Sequence, residues 1–320
     1  PMISNMFASE QLSQSPNWWR DAVIYQVYPR SFRDSNGDGV GDIRGIIDGL
    51  PYLSSLGIDA IWITPWYPSP QKDHGYDVAD YMNIGPDYGT LDQAKKLIDE
   101  AHVLGLKIIV DLVPNHSSDQ HKWFQEALRS APGSKARDRY MFRDGKGENG
   151  ELPPNNWQAV FGGPAWHRVT EADGKPGQWY LHLFAVEQPD LNWENEEVRA
   201  HFEDVLRFWL DRGVDGFRID VAHGMIKAPG LPDVLDESNA TPEMLAAQKM
   251  PFWDQDGVHE IYRSWRKILD SYEGDRMAVA EAWVSPASRI ALYLRHDELA
   301  NSFNFDFLTS SWKIKDLKRN

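Results

Sequence analysis

From residue 22 onward the apolar positions switch repeatedly between two periods. Short runs rich in β-branched and aromatic residues alternate with stretches where apolar residues recur every three or four positions. This is the rhythm of repeated strand–helix units around a parallel sheet. Residues 22–28 predict a first strand. Ile46, Ile47, Leu50, Leu53 and Leu56 then share one helical face that stops at Gly57, and residues 59–64 predict a second strand. Thr90 and Gln93, spaced as a capping box, open the run Leu91, Ala94, Leu97, Ile98, Ala101 and Leu104, which Gly105 closes. Residues 107–113 predict a third strand.

The rhythm breaks over 117–184, where Gly, Pro, Asn and Trp crowd into 149–166 and no helical period persists. It resumes with Asn195 as an N-cap ahead of Val198, Phe202, Val205, Leu206, Trp209 and Leu210. Residues 214–219, 277–283 and 302–307 predict strands four to six, with a helix at 261–269 and an irregular stretch at 222–260. Six such units with a long excursion after the third predict an α/β chain of the (β/α)8 barrel type, incomplete at about six units. The expected domains are a barrel domain over 1–116 and 185–320 and a small inserted domain over 117–184. An open doubly wound sheet is the structural alternative, weakened by the lack of a Gly-x-Gly-x-x-Gly turn after the first strand. Barrel active sites gather at the C-terminal strand ends. Here those ends carry Tyr28, Pro65, Asn115, His116, Asp220 and Glu281.

With 42% hydrophobic and 12% aromatic residues, the 320-residue chain can bury a sizeable core. Its net charge of −15 repels phosphate backbones, so nucleic acid is not an expected partner, and a neutral ligand or bound cation suits it better. Cysteine is absent, which removes disulfides, thiolate metal sites and a cysteine nucleophile together. No run of about 18 apolar residues predicts a membrane span, and residues 1–17 lack a signal-peptide core. A cytoplasmic protein without a membrane partner is expected, of open oligomeric state.

Several motifs carry candidate chemistry. Between Asp34 and Asp42, oxygen ligands fall at alternate positions with glycines between them, matching the first nine positions of an EF-hand loop. Asp34, Asn36, Asp38, the Val40 carbonyl and Asp42 would hold a structural Ca²⁺, or Mg²⁺; an Asx-rich turn without metal fits the same residues. Gly45 stands where such a loop carries its bidentate glutamate. Asn115 and His116 lie just past a buried strand, where a neutral imidazole could donate to a ligand hydroxyl or simply serve structure. Tyr76 could stack on a sugar face while Asp77 accepts hydroxyl hydrogen bonds, or both could be core. Arg218 and Asp220 are two apart and so share a strand face, where the guanidinium could keep the aspartate ionised. Glu281, flanked by Ala280, Ala282 and Trp283, is the better candidate for a raised pKa. A nucleophilic Asp220 and a proton-donating Glu281 are what a retaining glycosidase needs, with carboxyl groups about 5–5.5 Å apart. The same spacing also fits a buried Arg–Asp pair beside an unrelated acid.

The chain resembles the α-amylase family, glycoside hydrolase family 13, nearest its α-glucosidase and oligo-1,6-glucosidase branch. The resemblance runs from about Trp18 onward. It is carried by the motifs at 111–116, 216–221 and 281–283, supported by Gln188-Pro-Asp-Leu-Asn-Trp193 and the Asp34–Asp42 loop. It implies Asp220 as nucleophile, Glu281 as general acid/base, and Arg218, His116, Asp77 and Tyr76 as contacts of the glucosyl unit. Phe161 is a further candidate substrate contact. Val221 looks like the valine that follows the nucleophile in oligo-1,6-glucosidases, which implies tolerance of α-1,6 linkages.

One departure stands out. The family's third carboxylate lies in an Asn-His-Asp motif after a seventh strand, and this chain has none: Asn115-His116 is followed by Ser117, and His296-Asp297 falls in an apolar helical pattern at 290–299. The expectation is the N-terminal portion of a retaining α-glucosidase, with reduced or no activity in this span alone. A transglucosylase or sucrose isomerase on the same scaffold is the nearest alternative. A catalytically dead sugar-binding or interaction subunit is the alternative of another class.

Overall fold

A computed structural model of the chain describes residues 17–318, apart from Glu237 and Asn239. Residues 1–16, on which most of the expectation about a leader rests, lie outside the described residues. Six parallel strands form one sheet: β1 (Ile24–Val27), β2 (Ala60–Ile63), β3 (Lys107–Leu112), β7 (Gly216–Ile219), β8 (Met277–Ala280) and β9 (Asn301–Ser302), side by side in that order. The three intervening strands, β4 (Phe142–Arg143), β5 (Trp166–Thr170) and β6 (Pro176–Leu181), make a separate antiparallel sheet in the order β4-β6-β5.

Period-two alternation gives the main sheet two chemically different faces. Ile61, Ile63, Ile108, Val110, Leu112, Phe217, Ile219, Ala278 and Ala280 are buried in one core with the helices Ile43–Ser55, Leu91–Val103, Glu196–Leu210 and Val258–Asp270. The opposite face carries a smaller cluster of Trp18, Ala60, Ile109 and Met277, with Ile24, Trp62 and Val279 against it. Register pairs Asp111 with Arg218 and Arg218 with Val279, so these side chains project from that second, barrel-interior face. The helices start as their caps dictate: Thr90 and Gln93 make the reciprocal capping box, and Asn195 accepts from the Glu197 N–H. They stop at Gly57, Gly105 and Gly213, whose φ values of +76°, +74° and +95° suit residues without Cβ.

The sixth strand differs from expectation. Pairing ends at Ser302, because Asn304 Oδ1 accepts from Phe307 N at 2.9 Å and starts the helical turn Phe305–Leu308. The stretch 290–299 is also only partly helical, since its helix ends at Tyr293 and leaves His296 and Asp297 beyond it. Between β3 and β7 the chain forms two short helices, Lys122–Arg129 and Lys135–Asp138, besides the small sheet. A second core joins Met141, Trp157, Trp166, Leu181 and Leu183 from this excursion to Phe252 from the excursion after β7. Asn156 and Val234 exchange hydrogen bonds of 2.9 and 2.8 Å across the two. Both excursions leave C-terminal strand ends, so their contact builds a wall over that end of the sheet.

Candidate active site

Asp220 and Glu281 each occupy the first position past their strands, and both stay in the ladder: Asp220 N donates to Leu112 O at 2.8 Å and Glu281 N to Ile219 O at 2.9 Å. Continuing the alternation, both side chains join Asp111 and Arg218 on the interior face. Arg218 Nη1 lies 2.6 Å from Asp220 Oδ1 and 2.9 Å from Asp111 Oδ1, and Nη2 lies 3.1 Å from Glu281 Oε2. Asp220 and Glu281 are also in hydrogen-bond contact with each other. The sequence brings Asp111 to this cluster without having marked it as a candidate. The available signal was a carboxylate in the middle of the apolar run 107–113, a costly placement that demands partners. Asp111 has three: Arg218, Trp62 Nε1 at 2.9 Å and Tyr76 Oη at 3.1 Å, both donating to its Oδ2.

One guanidinium therefore serves three carboxylates, and this corrects the expectation that Arg218 holds Asp220 low. Burial dominates, pushing the Asp220 carboxyl up to about 6 although Arg218 opposes it, and the Asp111 charge adds to the rise. Asp111 is likewise pushed up to about 6, by burial against the same arginine. Glu281 is raised as expected, first by burial and then by the charge of Asp220. The three carboxyls are best treated as one coupled system around a single cation.

Glu281 is gripped by the turn after Asp220. Val221 N donates to Glu281 Oε2 at 2.9 Å and Ala222 N to its main-chain O at 2.9 Å, while Trp283 Nε1 donates to Oε1 at 3.1 Å. To aim its N–H there Val221 adopts φ +46°, a left-handed conformation that β-branched residues rarely accept. Trp283 stacks on Phe305 at 3.7 Å and is half-exposed, marking the open side of the site.

The remaining candidates divide. Tyr76 lies against the cluster with its ring 5.5 Å from the Arg218 guanidinium. Phe161 is exposed and edge-on to Phe184 at 5.7 Å, and Phe184 in turn meets His116 at 5.2 Å. Asp77 is fully buried, and its carboxylate accepts from Ser69 Oγ and from the main-chain N–H groups of Lys72 and Asp73. His116 is buried too, with Nε2 3.0 Å from Tyr76 O and Nδ1 3.2 Å from Asn115 Nδ2. Both residues expected to meet sugar hydroxyls are thus engaged with protein groups, because the chain folds its own polar atoms onto them.

In the Asp34–Asp42 loop an all-oxygen donor set suits a hard cation, but the carboxylates are turned to the backbone. Asp34 accepts from Asn36, Gly37 and Gly39 N–H groups, which hold its pKa down, and Asp42 caps the following helix through Gly45 N at 2.6 Å. Among the described residues no three acidic or histidine side chains converge on one point. The geometry as it stands is that of successive Asx turns.

Paired carboxylates at neighbouring C-terminal strand ends of a parallel βα sheet define the chain's class as a barrel of the glycoside hydrolase type. A family model of the alpha amylase catalytic domain matches residues 26–319, and the chain belongs to that family. It is 42% identical over 316 residues to the oligo-1,6-glucosidase of Parageobacillus thermoglucosidasius, an alignment covering 94% of this chain and 54% of the relative. It is 50% identical over 298 residues to α-glucosidase MAL32 of Saccharomyces cerevisiae, covering 90% of this chain and 49% of the relative. Among solved structures it is similar to trehalulose synthase MutB of Pseudomonas mesoacidophila, with TM-score 0.84 and 38% identity over 95% of this chain and 54% of the other. The chain spans about half the length of the curated relatives it matches.

Proposed function

We propose that this chain carries the nucleophile and the acid/base of a retaining α-glucosidase acting on small α-linked glucosides. The observation that carries this reading is the contact of Asp220 with Glu281 on adjacent strand ends around Arg218. Asp220 attacks the anomeric carbon as Glu281 protonates the departing oxygen; water then attacks the glucosyl-enzyme ester, with Glu281 taking its proton. No redox or group-transfer cofactor enters. Because a sugar must fit between carboxyls about 5–5.5 Å apart, Glu281 leaves its contact with Asp220 when substrate enters.

The test separates the two roles. Glu281→Gln lowers kcat/KM on maltose by about 10²–10⁴-fold, yet costs far less on α-glucosyl fluoride, whose leaving group needs no proton. Asp220→Asn abolishes turnover of both. Equal losses for Glu281→Gln on the two substrates would overturn the assignment. Arg218, Tyr76, Asp77, His116 and Phe161 are proposed to surround the glucosyl unit, Asp77 and His116 after local rearrangement. Val221 is proposed to admit α-1,6 linkages, which turnover of isomaltose checks and its absence refutes.

A second reading, transglucosylation or sucrose isomerisation, is supported by the likeness to a trehalulose synthase. Chromatography of products from sucrose and maltose distinguishes them: free glucose alone favours hydrolysis, and rearranged or longer sugars favour transfer. The Asp34–Asp42 loop is proposed as a Ca²⁺ site only if its carboxylates turn inward on binding. A Tm unchanged by chelator and by added Ca²⁺ leaves a metal-free turn. No helix among the described residues is long and apolar enough to cross a membrane. A cytoplasmic location remains a proposal that cell fractionation decides.

A further inference from the structure

Lys227, seven positions beyond Asp220, is buried and takes no part in the chemistry above. Its Nζ lies 2.8 Å from Asp190 Oδ2 and 3.0 Å from Asn115 Oδ1, and it donates to Gly224 O. All three ammonium protons thus have acceptors. The loop comes this close to Asn115 because residue 224 is glycine: a Cβ there would stand 3.0 Å from Asn115 Oδ1 and 2.7 Å from Val221 Cγ1.

An ammonium only donates, so it decides which end of the Asn115 amide faces it. With Oδ1 on Lys227, Nδ2 points at Asp190 Oδ2 and at His116 Nδ1, each 3.2 Å away. His116 Nδ1 faces a donor and must accept, which leaves the ring proton on Nε2. Nε2 duly faces an acceptor, Tyr76 O, at 3.0 Å. Gln188 Nε2 also lies 3.2 Å from His116 Nε2, but its amide is fixed by Ala185 N donating to Gln188 Oε1 at 3.0 Å. Gln188 Nε2 is therefore a donor as well, directed at Asp73 Oδ2 and Tyr76 O at 2.9 and 3.2 Å, and the two donors share the Tyr76 carbonyl. Burial lowers the His116 pKa, so the ring is neutral at ordinary pH and its tautomer is a defined quantity.

We infer that Lys227 is a positioning residue that sets the tautomer of His116 through the Asn115 amide and so anchors Tyr76 against the Asp111–Arg218 pair. The relay crosses three segments: the turn after β7, the end of β3 and the loop of Tyr76. It ends on Tyr76, whose hydroxyl donates to Asp111 and whose ring lies against Arg218. Asp190 neutralises the ammonium without competing for the amide oxygen.

The test is imidazole ¹⁵N NMR of histidine-labelled protein, with His116 assigned by the signals lost in His116→Asn. The wild type should show His116 protonated at Nε2 and bare at Nδ1. Asn115→Asp places an acceptor against Nδ1 and moves the proton there. Lys227→Met combined with Asp190→Asn removes both charges, leaves neither buried alone, frees the amide to turn and yields a mixture of tautomers. A wild type protonated at Nδ1 overturns the inference whether or not any variant folds. So does an unchanged Nε2–H in either folded variant. The readout requires no turnover, so it stands or falls separately from the α-glucosidase reading.

Discussion

Burial first, and then the presence of three carboxyls around the single charge of Arg218, set the pH behaviour of the site. In its proposed role Asp220 attacks only when ionised, and its pKa is raised to about 6. A raised acid keeps its proton to higher pH, so activity is lost as pH falls through about 6 rather than through the usual carboxylate range near 4. Glu281 must be protonated to donate, and its own upward shift extends activity on the alkaline side. The kcat/KM profile should therefore be a bell with its acid limb near pH 6, reporting the coupled carboxyls rather than one residue. An acid limb near pH 4 would mean that Arg218 does hold Asp220 low. Burial itself was legible from the apolar run around Asp220. The number of carboxylates sharing the arginine was not, because Asp111 arrives from a strand more than a hundred residues upstream.

At the scale of elements, local signals are strong where the chain pays entropy for a turn. The Thr90–Gln93 capping box satisfies two helix-end donors at once. Thr90→Ala should lower unfolding free energy by about 1 kcal/mol, read by urea denaturation of the folded protein. A loss below a few tenths would show that Gln93 alone suffices. Helix faces and the strands β1 to β3 follow their apolar periods because each pattern fits only one way of facing the core. The sixth strand did not follow its period, since the Asn304 side chain offered the backbone a local alternative to the ladder. The left-handed Val221 was equally hidden: nothing in a valine announces φ +46°, which is imposed by the hydrogen bond to Glu281.

Across the whole molecule, β1 and β9 are the edges of the six-stranded sheet, so among the described residues the barrel is not closed. Close to β9, Phe307, Leu308, Trp312 and Ile314 are exposed, Trp312 at 93%. An open parallel edge beside such a patch invites association. The 320-residue span alone should turn over p-nitrophenyl α-glucoside much more slowly than a version extended to supply the Asn-His-Asp carboxylate that this span lacks. Equal rates would show that six strands complete the site. The two excursions behave differently, since their shared aromatic core and the Lys227–Asp190 pair bind them into one wall.

The sequence by itself determined the strand–helix rhythm, the caps and stops, and the placement of Asp220 and Glu281 at strand ends with Arg218 on the same face as Asp220. Each of these depends on neighbours within a few positions, and periodicity exposes them. Only the tertiary structure decided that three carboxylates share one guanidinium, that Asp77 and His116 face the protein's own polar atoms, and that Lys227 orients a histidine through an amide. Those facts arise from charges and hydrogen-bond donors brought together across long stretches of chain. Their energies depend on burial and distance, which a linear pattern does not contain.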